Sequence, residues 1–349
     1  MADRLLAWFD HNRRDLPWRR TRDPWAIWVS EVMLQQTRVE AVREAYARFV
    51  HRFPRPEDFA TASDEDLLLA WRGLGYYRRA RLLREGARAV VADHAGRVPS
   101  EASALGELPG IGEYTRGAIA SIAFGKPELA VDGNVERVVA RHRGISSDVK
   151  QRSTGRRIRE IVREWQDRQR PGDFNQALME LGATVCTPKS PRCLLCPIAQ
   201  DCEARSRGLV ARLPVLPARK AATCVAARCV LLAHQDGRVL GNRIDAGEIN
   251  AGQIELPTPG AFVTTEDAEK LARMLGERFG VAFAIGKVIC AVRHTITSHR
   301  IVLTAHRATC RARRLPKPLA YFETDPASVP WTTLARKVFV ARQAAAEPG

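Results

Sequence analysis

This 349-residue sequence lacks long apolar runs, and none approaches the roughly 18 consecutive apolar residues that a membrane-spanning helix requires. Its first 18 residues include acidic side chains and lead into no apolar segment of the kind that a secretory signal contains. Disorder as the dominant state is excluded as well, because hydrophobic residues make up 45% of the chain. We therefore expect a folded protein of the reducing cytoplasm, with no membrane partner.

Lysine is scarce, and the first 125 residues contain none. Only eight of the 55 basic side chains are lysine, yet basic residues exceed the 39 acidic ones and give a formal net charge of +16. Residues 1–207 carry 35 basic and 28 acidic side chains, and residues 208–349 carry 20 and 11. Codon bias in a GC-rich genome is an alternative reason for arginine over lysine, but not for the positive excess. Nucleic acid is therefore the expected partner.

The chain length suggests two domains. The first part has the periodicity of successive amphipathic or buried helices, at about 2–13, 24–35, 38–52, 64–72, 79–93, 114–124, 133–143, 154–168 and 173–185. We place a mainly α domain at 1–207 and a basic, proline-containing linker at 208–222.

The remaining residues 223–349 predict an α+β domain. Gln235-Asp236-Gly237 lies between two strand-like segments and is typical of a β-hairpin turn. Strand-like runs follow at 286–296 and 299–310, and helical patterns lie near 265–279 and 331–345.

Four of the eight cysteines, Cys186, Cys193, Cys196 and Cys202, fall within 17 residues. In a reducing compartment this grouping indicates a metal centre rather than disulfides. Structural zinc sites usually have two close cysteine pairs, whereas only one Cys-x2-Cys occurs here. An iron–sulfur cluster tolerates uneven spacing better, so the spacing favours a cluster over zinc.

A glycine-rich turn, Leu108-Pro109-Gly110-Ile111-Gly112, joins two helical segments. Glycines in such a turn let backbone N–H groups point outward at the start of the next helix, which suits a DNA phosphate. An ordinary turn between two helices is the alternative. The polar Glu113-Tyr114-Thr115 run that follows favours the phosphate site.

Two carboxylates have contrasting surroundings. Glu31 lies in a helix that is apolar nearly all round, and burial there raises a carboxyl pKa into the range of a general acid. A solvated position on the helix rim is its alternative. Asp132 precedes a helix that begins at Gly133, where an N-cap is the common role. An N-cap carboxylate that faces a cleft can also stay ionised and stabilise a developing cation.

These features together resemble the adenine DNA glycosylase (MutY) family of the helix-hairpin-helix DNA glycosylase superfamily. The resemblance covers nearly all of residues 1–202, in the family's order and spacing. Its motifs are Leu16-Pro17-Trp18-Arg19, Ser30-Glu31-Val32-Met33-Leu34-Gln35-Gln36-Thr37, Gly73-Leu74-Gly75-Tyr76-Tyr77, the 108–112 turn, Val131-Asp132-Gly133-Asn134-Val135, Phe174-Asn175-Gln176-Ala177 and the four-cysteine loop.

The resemblance implies a monofunctional hydrolase that removes adenine mispaired with 8-oxoguanine or guanine in duplex DNA, after flipping the nucleotide into a pocket. It implies that Glu31 protonates adenine N7 and that Asp132 stabilises the oxocarbenium-like sugar. Tyr114 would line the sugar side of the pocket, with Asn134 positioning polar groups nearby. It also implies a monomeric bacterial protein associated with the nucleoid.

The same resemblance assigns DNA contacts. Arg19 and Gln176 would meet the adenine edge, and Gln36 and Tyr76 would wedge into the base stack. Residues 186–202 would hold a [4Fe-4S] cluster, which with Lys189 and Arg192 positions backbone phosphates, while Gly110 and Gly112 supply the phosphate-binding turn.

The main alternative within the superfamily is the endonuclease III type, a pyrimidine glycosylase with lyase activity. That chemistry needs a lysine amine shortly after the hairpin glycines, to form a Schiff base. Here the position is Tyr114. The sequence therefore disfavours lyase activity.

A Nudix-type hydrolase fused to a DNA-binding module is an alternative of another class. The C-terminal domain resembles a Nudix fold, since five residues separate Gly260 from Glu266. Where the metal-binding carboxylates of that motif belong, residues 274–279 offer only Glu277, and one carboxylate does not assemble a divalent metal site. We expect a Nudix-like lesion-recognition domain instead.

The chain departs from the family pattern in the C-terminal domain. The family has a short Phe-Ser-His segment after His-Thr, whereas here Ile296 replaces the aromatic residue and Ser298-His299 is displaced by one residue. Ser298 and His299 are our candidates for reading the base opposite adenine.

Overall fold

The computed structural model describes residues 1–218, 221–310, 312 and 314–346. The chain forms two compact units, one of residues 1–62 and 78–218 and the other of residues 63–77 and the described part of 219–349. Parts of the predicted division, namely 219–220 of the linker and 311, 313 and 347–349 of the last domain, lie outside the described residues. In the described part of the chain, no helix is long and apolar enough to span a bilayer.

The helices predicted from periodicity are confirmed, with ends shifted by a few residues. In chain order they are α1 (Ala2–Asn12), α2 (Pro24–Leu34), α3 (Val39–Arg52), α4 (Pro56–Ala60), α5 (Asp64–Ala70), α6 (Arg78–Asp93), α7 (Ala102–Glu107), α8 (Glu113–Phe124), α9 (Gly133–His142), α10 (Arg152–Trp165), α11 (Pro171–Thr184), α12 (Glu203–Ser206), α13 (Ala268–Phe279) and α14 (Thr333–Ala346). The sequence analysis missed the short helices α4, α7 and α12, which are too brief to show a helical period.

Helix α2 lies in the core of the first unit. Asp23 caps its N-terminus by accepting a 2.9 Å hydrogen bond from the backbone N–H of Trp25, and Pro24 occupies the first turn. Trp25 and Trp28 are both buried and meet edge to face with centroids 5.7 Å apart. A helix buried on all sides carries its one carboxylate, that of Glu31, into the interior.

The second unit contains two three-stranded sheets, as the α+β prediction requires. Strand order is β1-β5-β4 in one sheet and β3-β2-β6 in the other. The strands are β1 (Thr223–Leu231), β2 (Val239–Arg243), β3 (Ile254–Glu255), β4 (Phe283–Ile296), β5 (His299–Cys310) and β6 (Leu319–Phe322). Strand β1 runs parallel to β5, and β5 pairs antiparallel with β4.

The hairpin predicted at Gln235-Asp236-Gly237 is only partly right. The turn forms, with Gly237 at φ 90° and the His234 N–H donating to the Arg238 carbonyl at 2.8 Å. Beyond an isolated bridge between Ala233 and Val239, however, β2 pairs with β3 and β6 rather than with β1. A turn signal fixes the local reversal of the chain but not the sheet that each strand joins.

The second unit also differs from the predicted division, because it includes residues 63–77. The guanidinium of Arg72 donates a hydrogen bond to the carbonyl of Pro326 in the same unit. Helical periodicity places this segment among helices, and only such long-range contacts show which unit it joins.

Candidate active site

A cavity of about 680 Å³ opens in the first unit, and it is lined by eight of the residues that the sequence singled out. Helices α2, α8, α9 and α11 contribute to its walls, together with the segments before α2 and after it. The eight residues are Arg19, Glu31, Gln36, Gly112, Tyr114, Asp132, Asn134 and Gln176.

Glu31 is the buried acid of this cavity, with only 6% of its surface exposed. Burial raises its pKa from the ordinary 4.5 to about 7, although the hydrogen bond from Tyr114 acts in the opposite direction. A carboxyl group with this pKa is substantially protonated at neutral pH. Such a group can donate a proton to a bound base.

Tyr114, in the first turn of α8, faces Glu31. Its hydroxyl donates to Glu31 Oε2 at 2.6 Å and lies 3.2 Å from Met179 Sδ. Burial, together with the nearby carboxylates of Glu31 and Asp132, raises the pKa of Tyr114 well above its ordinary 10. The phenol therefore stays neutral and acts as a hydrogen-bond donor.

Asp132 is the N-cap of α9 and also faces the cavity, so its two sequence interpretations are compatible. Its Oδ1 accepts from the backbone N–H groups of Asn134 and Val135 at 2.9 and 2.8 Å, and its Oδ2 accepts from Asn134 Nδ2 at 2.7 Å. Burial raises the pKa of Asp132, and these three donors oppose the rise by stabilising the charged form. Its carboxylate thus has donors on one side and the cavity on the other.

A buried ion-pair cluster forms another wall of the cavity, and the sequence analysis missed two of its members, Arg14 and Glu180. Glu180 is 1% exposed and accepts from Arg14 Nε and Nη2 and from Arg19 Nη2, each at 2.8 Å. Burial alone would raise the pKa of Glu180, but the hydrogen bonds from both arginines lower it to about 2.

Helical spacing offers one signal for Glu180. It lies four residues after Gln176, and positions i and i+4 share a helix face. Gln176 is a candidate from the sequence, so the helix face that it shares with Glu180 predicts a second polar side chain in the site.

A tight turn at residues 34–37 carries Gln36 to the cavity mouth. The Thr37 N–H donates to the Leu34 carbonyl at 3.3 Å, Gln35 has φ −59° and ψ 113°, and Gln36 has φ 56°. These angles match a type II turn with a non-glycine residue in the left-handed position that glycine favours. Such a conformation costs about 1–3 kcal/mol and persists only where the surroundings enforce it.

The glycine-rich turn connects α7 to α8, as predicted. Gly110 has φ 79°, and a Cβ there would lie 2.8 Å from Leu82 Cβ, so both conformation and space require glycine. Ile111 is buried and fixes the turn against the core, while Gly110 and Gly112 are exposed. The first N–H groups of α8 have no partner within the helix and are available to an anion.

Residues 29–164 match the model of the HhH-GPD superfamily of base excision DNA repair proteins. Among solved structures, the chain is similar to a thermostable thymine-DNA glycosylase, with 32% identity, a TM-score of 0.55, and coverage of 59% of this chain and 95% of that one. The chain belongs to the HhH-GPD superfamily.

Curated relatives of this superfamily member include adenine DNA glycosylases. That of Homo sapiens is 49% identical over 212 residues, which cover 58% of this chain and 39% of the relative. That of Mycobacterium tuberculosis is 45% identical over 195 residues, which cover 56% of this chain and 64% of the relative. The chain thus spans less than two thirds of the length of either relative.

In this HhH-GPD protein the four cysteines of the 186–202 loop lie near one another. Burial raises the pKa of the Cys196 thiol to about 11, and the thiols of Cys186, Cys202 and Cys193 add to the rise. The buried guanidinium of Arg141 lies 3.4 Å from Cys186 Sγ and supplies positive charge beside the loop. Among the residues that the structure describes, no three His, Cys, Asp or Glu side chains converge as the ligands of a single metal ion.

The remaining candidates of the HhH-GPD protein lie in its second unit. Tyr76 is exposed and has a left-handed φ of 47°. Ser298 is exposed in the two-residue turn that links β4 to β5, next to Thr297. The His299 ring meets Phe262 edge to face, with centroids 4.8 Å apart. Their contacts with DNA stay predictions.

Proposed function

We propose that this protein removes adenine, mispaired with 8-oxoguanine or guanine in duplex DNA, by hydrolysing its N-glycosidic bond. The observation that carries the proposal is a buried Glu31 with a pKa of about 7, which shares one cavity with Asp132. The adenine DNA glycosylases among its relatives support adenine as the base.

In the proposed mechanism, the nucleotide leaves the base stack and the adenine enters the cavity. Glu31 transfers its proton to adenine N7, so that the base departs as a neutral leaving group when the glycosidic bond breaks. The sugar then develops positive charge, which the Asp132 carboxylate stabilises. Water adds to the sugar, and the ionised Glu31 accepts a proton.

The other polar side chains that line this cavity suit the edge of a purine. Arg19 is held by its ion pair with Glu180 and by a 3.1 Å hydrogen bond to the Arg14 carbonyl. Its guanidinium also lies over the aromatic ring of Phe9. A side chain fixed in this way recognises a base edge with little loss of side-chain entropy. We propose that Arg19 and Gln176 contact adenine and that Glu180 keeps Arg19 in place.

We propose that the enzyme is monofunctional. The position of the lyase lysine in the endonuclease III type is here Tyr114, whose phenol is committed to Glu31. A phenol cannot form the Schiff base on which strand cleavage by that route depends.

We propose that the 186–202 loop binds a [4Fe-4S] cluster through Cys186, Cys193, Cys196 and Cys202. The proximity of the four thiols and the buried Arg141 guanidinium support this assignment, since thiolates bound to iron carry negative charge. The cluster would organise the loop, so that Lys189 and Arg192 reach backbone phosphates, and would take no part in the chemistry.

We further propose that the C-terminal α+β domain is Nudix-like and reads the base opposite adenine. Its excess of 20 basic over 11 acidic side chains in residues 208–349 supports a role on DNA. The expected partner is duplex DNA, bound by a monomer in the bacterial cytoplasm at the nucleoid.

Single-turnover cleavage tests the proposed function. Duplexes would carry adenine opposite 8-oxoguanine, G, C or T. A further duplex would carry thymine opposite G, because one similar solved structure is a thymine-DNA glycosylase. We expect fastest release of adenine opposite 8-oxoguanine or G, with strand breaks only after alkali and little borohydride-trapped adduct. Release of thymine but not adenine, or efficient trapping, would refute the proposal. Glu31→Gln, which should still bind DNA, is the control for contaminating glycosylases.

A further inference from the structure

Arg79, near the start of α6, holds the end of α2 and the turn that follows it. Its Nη1 donates to the carbonyls of Val32 and Met33 at 2.7 and 3.1 Å and to the carbonyl of Gln35. Its Nη2 donates to Thr37 Oγ1 at 3.1 Å. One guanidinium therefore binds acceptors on both sides of Gln36.

These acceptors need partners from outside their own helix. The last carbonyls of an α-helix have no N–H donor within it, and the chain leaves α2 at Leu34. The Leu34 carbonyl accepts a hydrogen bond from the Thr37 N–H, which closes the turn. Arg79 supplies the donors for Val32, Met33 and Gln35, and thereby fixes the direction in which the chain leaves the helix.

The hydrogen bonds of Arg79 affect the cavity through Gln36. It is the exposed residue of the turn, it lines the cavity mouth, and it has the left-handed φ of 56°. A glutamine relaxes from that conformation unless its flanking peptides are held. Both flanking residues, Gln35 and Thr37, are hydrogen-bonded to Arg79.

We propose that Arg79 is a positioning residue for base extrusion, which clamps the 34–37 turn so that Gln36 points its side chain into the base stack. In this proposal Arg79 acts through Gln36, by way of its hydrogen bonds to the 32–37 segment. The hydrogen bonds that form the clamp are present in the protein without DNA. The effect of the clamp on DNA rests on the proposed function.

The chemistry of the side chain explains why arginine is needed. A guanidinium presents five N–H donors in a rigid plane and can serve several carbonyls at once. A lysine ammonium keeps the charge but lacks this fork. Arg79→Lys should therefore resemble Arg79→Met in the assays below, whereas a requirement for charge alone would make it resemble wild type and would overturn the clamp.

The clamp is tested first without DNA, by urea unfolding of Arg79→Met in two backgrounds. Losing these hydrogen bonds should raise the unfolding equilibrium constant by at least about tenfold. In a Gln36→Gly background the left-handed residue needs no support, so the same substitution should have a clearly smaller effect. Equal effects in both backgrounds would overturn the clamp.

Extrusion is tested with 2-aminopurine in place of the target adenine, because its fluorescence rises on unstacking. The measurement uses the Glu31→Gln protein, which keeps the base from being cut. Adding Arg79→Met should lower the extruded fraction at saturating protein by about tenfold, the loss that one clamped contact predicts. The matched control is Arg78→Met, an exposed neighbour with the same change of charge. Equal extrusion in both variants would overturn the positioning role.

The pH profile of single-turnover excision distinguishes loss of the clamp from a general structural defect of the active site. Arg79→Met should lower the rate but leave the midpoint near pH 7 unchanged, because the pKa of Glu31 is set by its burial and by Tyr114, Asp132 and Arg19. A shifted midpoint would overturn the proposal. If wild type neither excises adenine nor extrudes 2-aminopurine, the proposed function fails, while the unfolding experiment still decides whether the clamp exists.

Discussion

The hydroxyl of Tyr114 donates a 2.6 Å hydrogen bond to Oε2 of Glu31, and this contact joins α8 to α2 inside the cavity. It lowers the pKa of a carboxyl group that burial raises to about 7. The fraction of Glu31 that carries a proton at neutral pH thus depends mainly on burial and on this phenol, with smaller effects from the charges of Asp132 and Arg19.

Tyr114→Phe should shift the pH profile of excision. Removing the hydroxyl takes away the hydrogen bond that lowers the pKa of Glu31, while burial and the nearby Asp132 still raise it. The pKa therefore rises, and the loss of rate with increasing pH moves to higher pH. Single-turnover rates between pH 5 and 9 would measure the midpoint. Tyr321→Phe in the second unit is the control. A midpoint that moves to lower pH would contradict this account of Tyr114.

Glu31→Gln should stabilise the protein at alkaline pH. The folded wild type keeps a proton on Glu31 that the unfolded chain releases above pH 4.5, so wild-type stability falls as pH rises from about 4.5 to about 7. Glutamine avoids that loss, and the variant should gain on the order of 3 kcal/mol above pH 7 and almost nothing below pH 4.5. Urea unfolding at pH 4, 6 and 8 checks this. A difference in the free energy of unfolding that does not change with pH would show that the pKa of Glu31 is not raised in the folded protein.

The same variant should lose activity despite its greater stability. Glutamine keeps the shape of the side chain and removes the proton donor, so excision should fall by about 10²–10⁴-fold while duplex binding survives. Excision within about tenfold of wild type would eliminate Glu31 as the general acid.

Arg137→Gln should impair excision from a distance. Arg137 donates to the Cys186 carbonyl and to Asn134 Oδ1, both at 2.8 Å, and Asn134 in turn donates to Asp132. Without the guanidinium, Asn134 is free to turn away from Asp132. We expect a rate at least about tenfold lower and a destabilisation of about 1–3 kcal/mol from the unpaired carbonyls. Arg163→Gln, an exposed site on α10, controls for charge, and equal rates in the two variants would contradict the link.

Purified protein should contain iron. About four iron atoms per chain, with broad visible absorbance, are expected for the proposed cluster, and Cys196→Ser should lose them together with DNA affinity. Cys224→Ser, outside the 186–202 loop, should keep both. Stoichiometric zinc without iron would replace the cluster by a zinc site.

The sequence predicted those parts of the site whose signals are local. Glu31 was recognisable because an apolar helix surrounds it, and Asp132 because it precedes a helix start. Helical spacing places Glu180 on the face of Gln176, but its ion pairs were not recognisable, since its partners Arg14 and Arg19 lie more than 160 residues away along the chain. The positive φ of Gln36 was also hidden, because turn preferences favour glycine there and only tertiary contacts hold a glutamine in it.

The Ser298→Ala, His299→Ala double variant should reduce the preference for 8-oxoguanine over guanine. The N7 of 8-oxoguanine carries a hydrogen where guanine has an acceptor, and the exposed Ser298 hydroxyl at the β4–β5 turn can accept from it. His299 can approach a phosphate or a base edge. One such contact is worth about 1–3 kcal/mol, or roughly tenfold to a hundredfold in discrimination.

Excision at saturating enzyme should stay near the wild-type rate, because the double variant leaves Glu31 and Asp132 untouched. The measurement is the ratio of single-turnover rates on duplexes with adenine opposite 8-oxoguanine and opposite guanine, at subsaturating enzyme. Thr309→Ala on β5 serves as the control for loss of a hydroxyl in this sheet. An unchanged ratio would move lesion reading to Ile296, Thr297 or Tyr76. A wild-type ratio of one would mean that the displaced Ser-His pair does not distinguish the two bases at all.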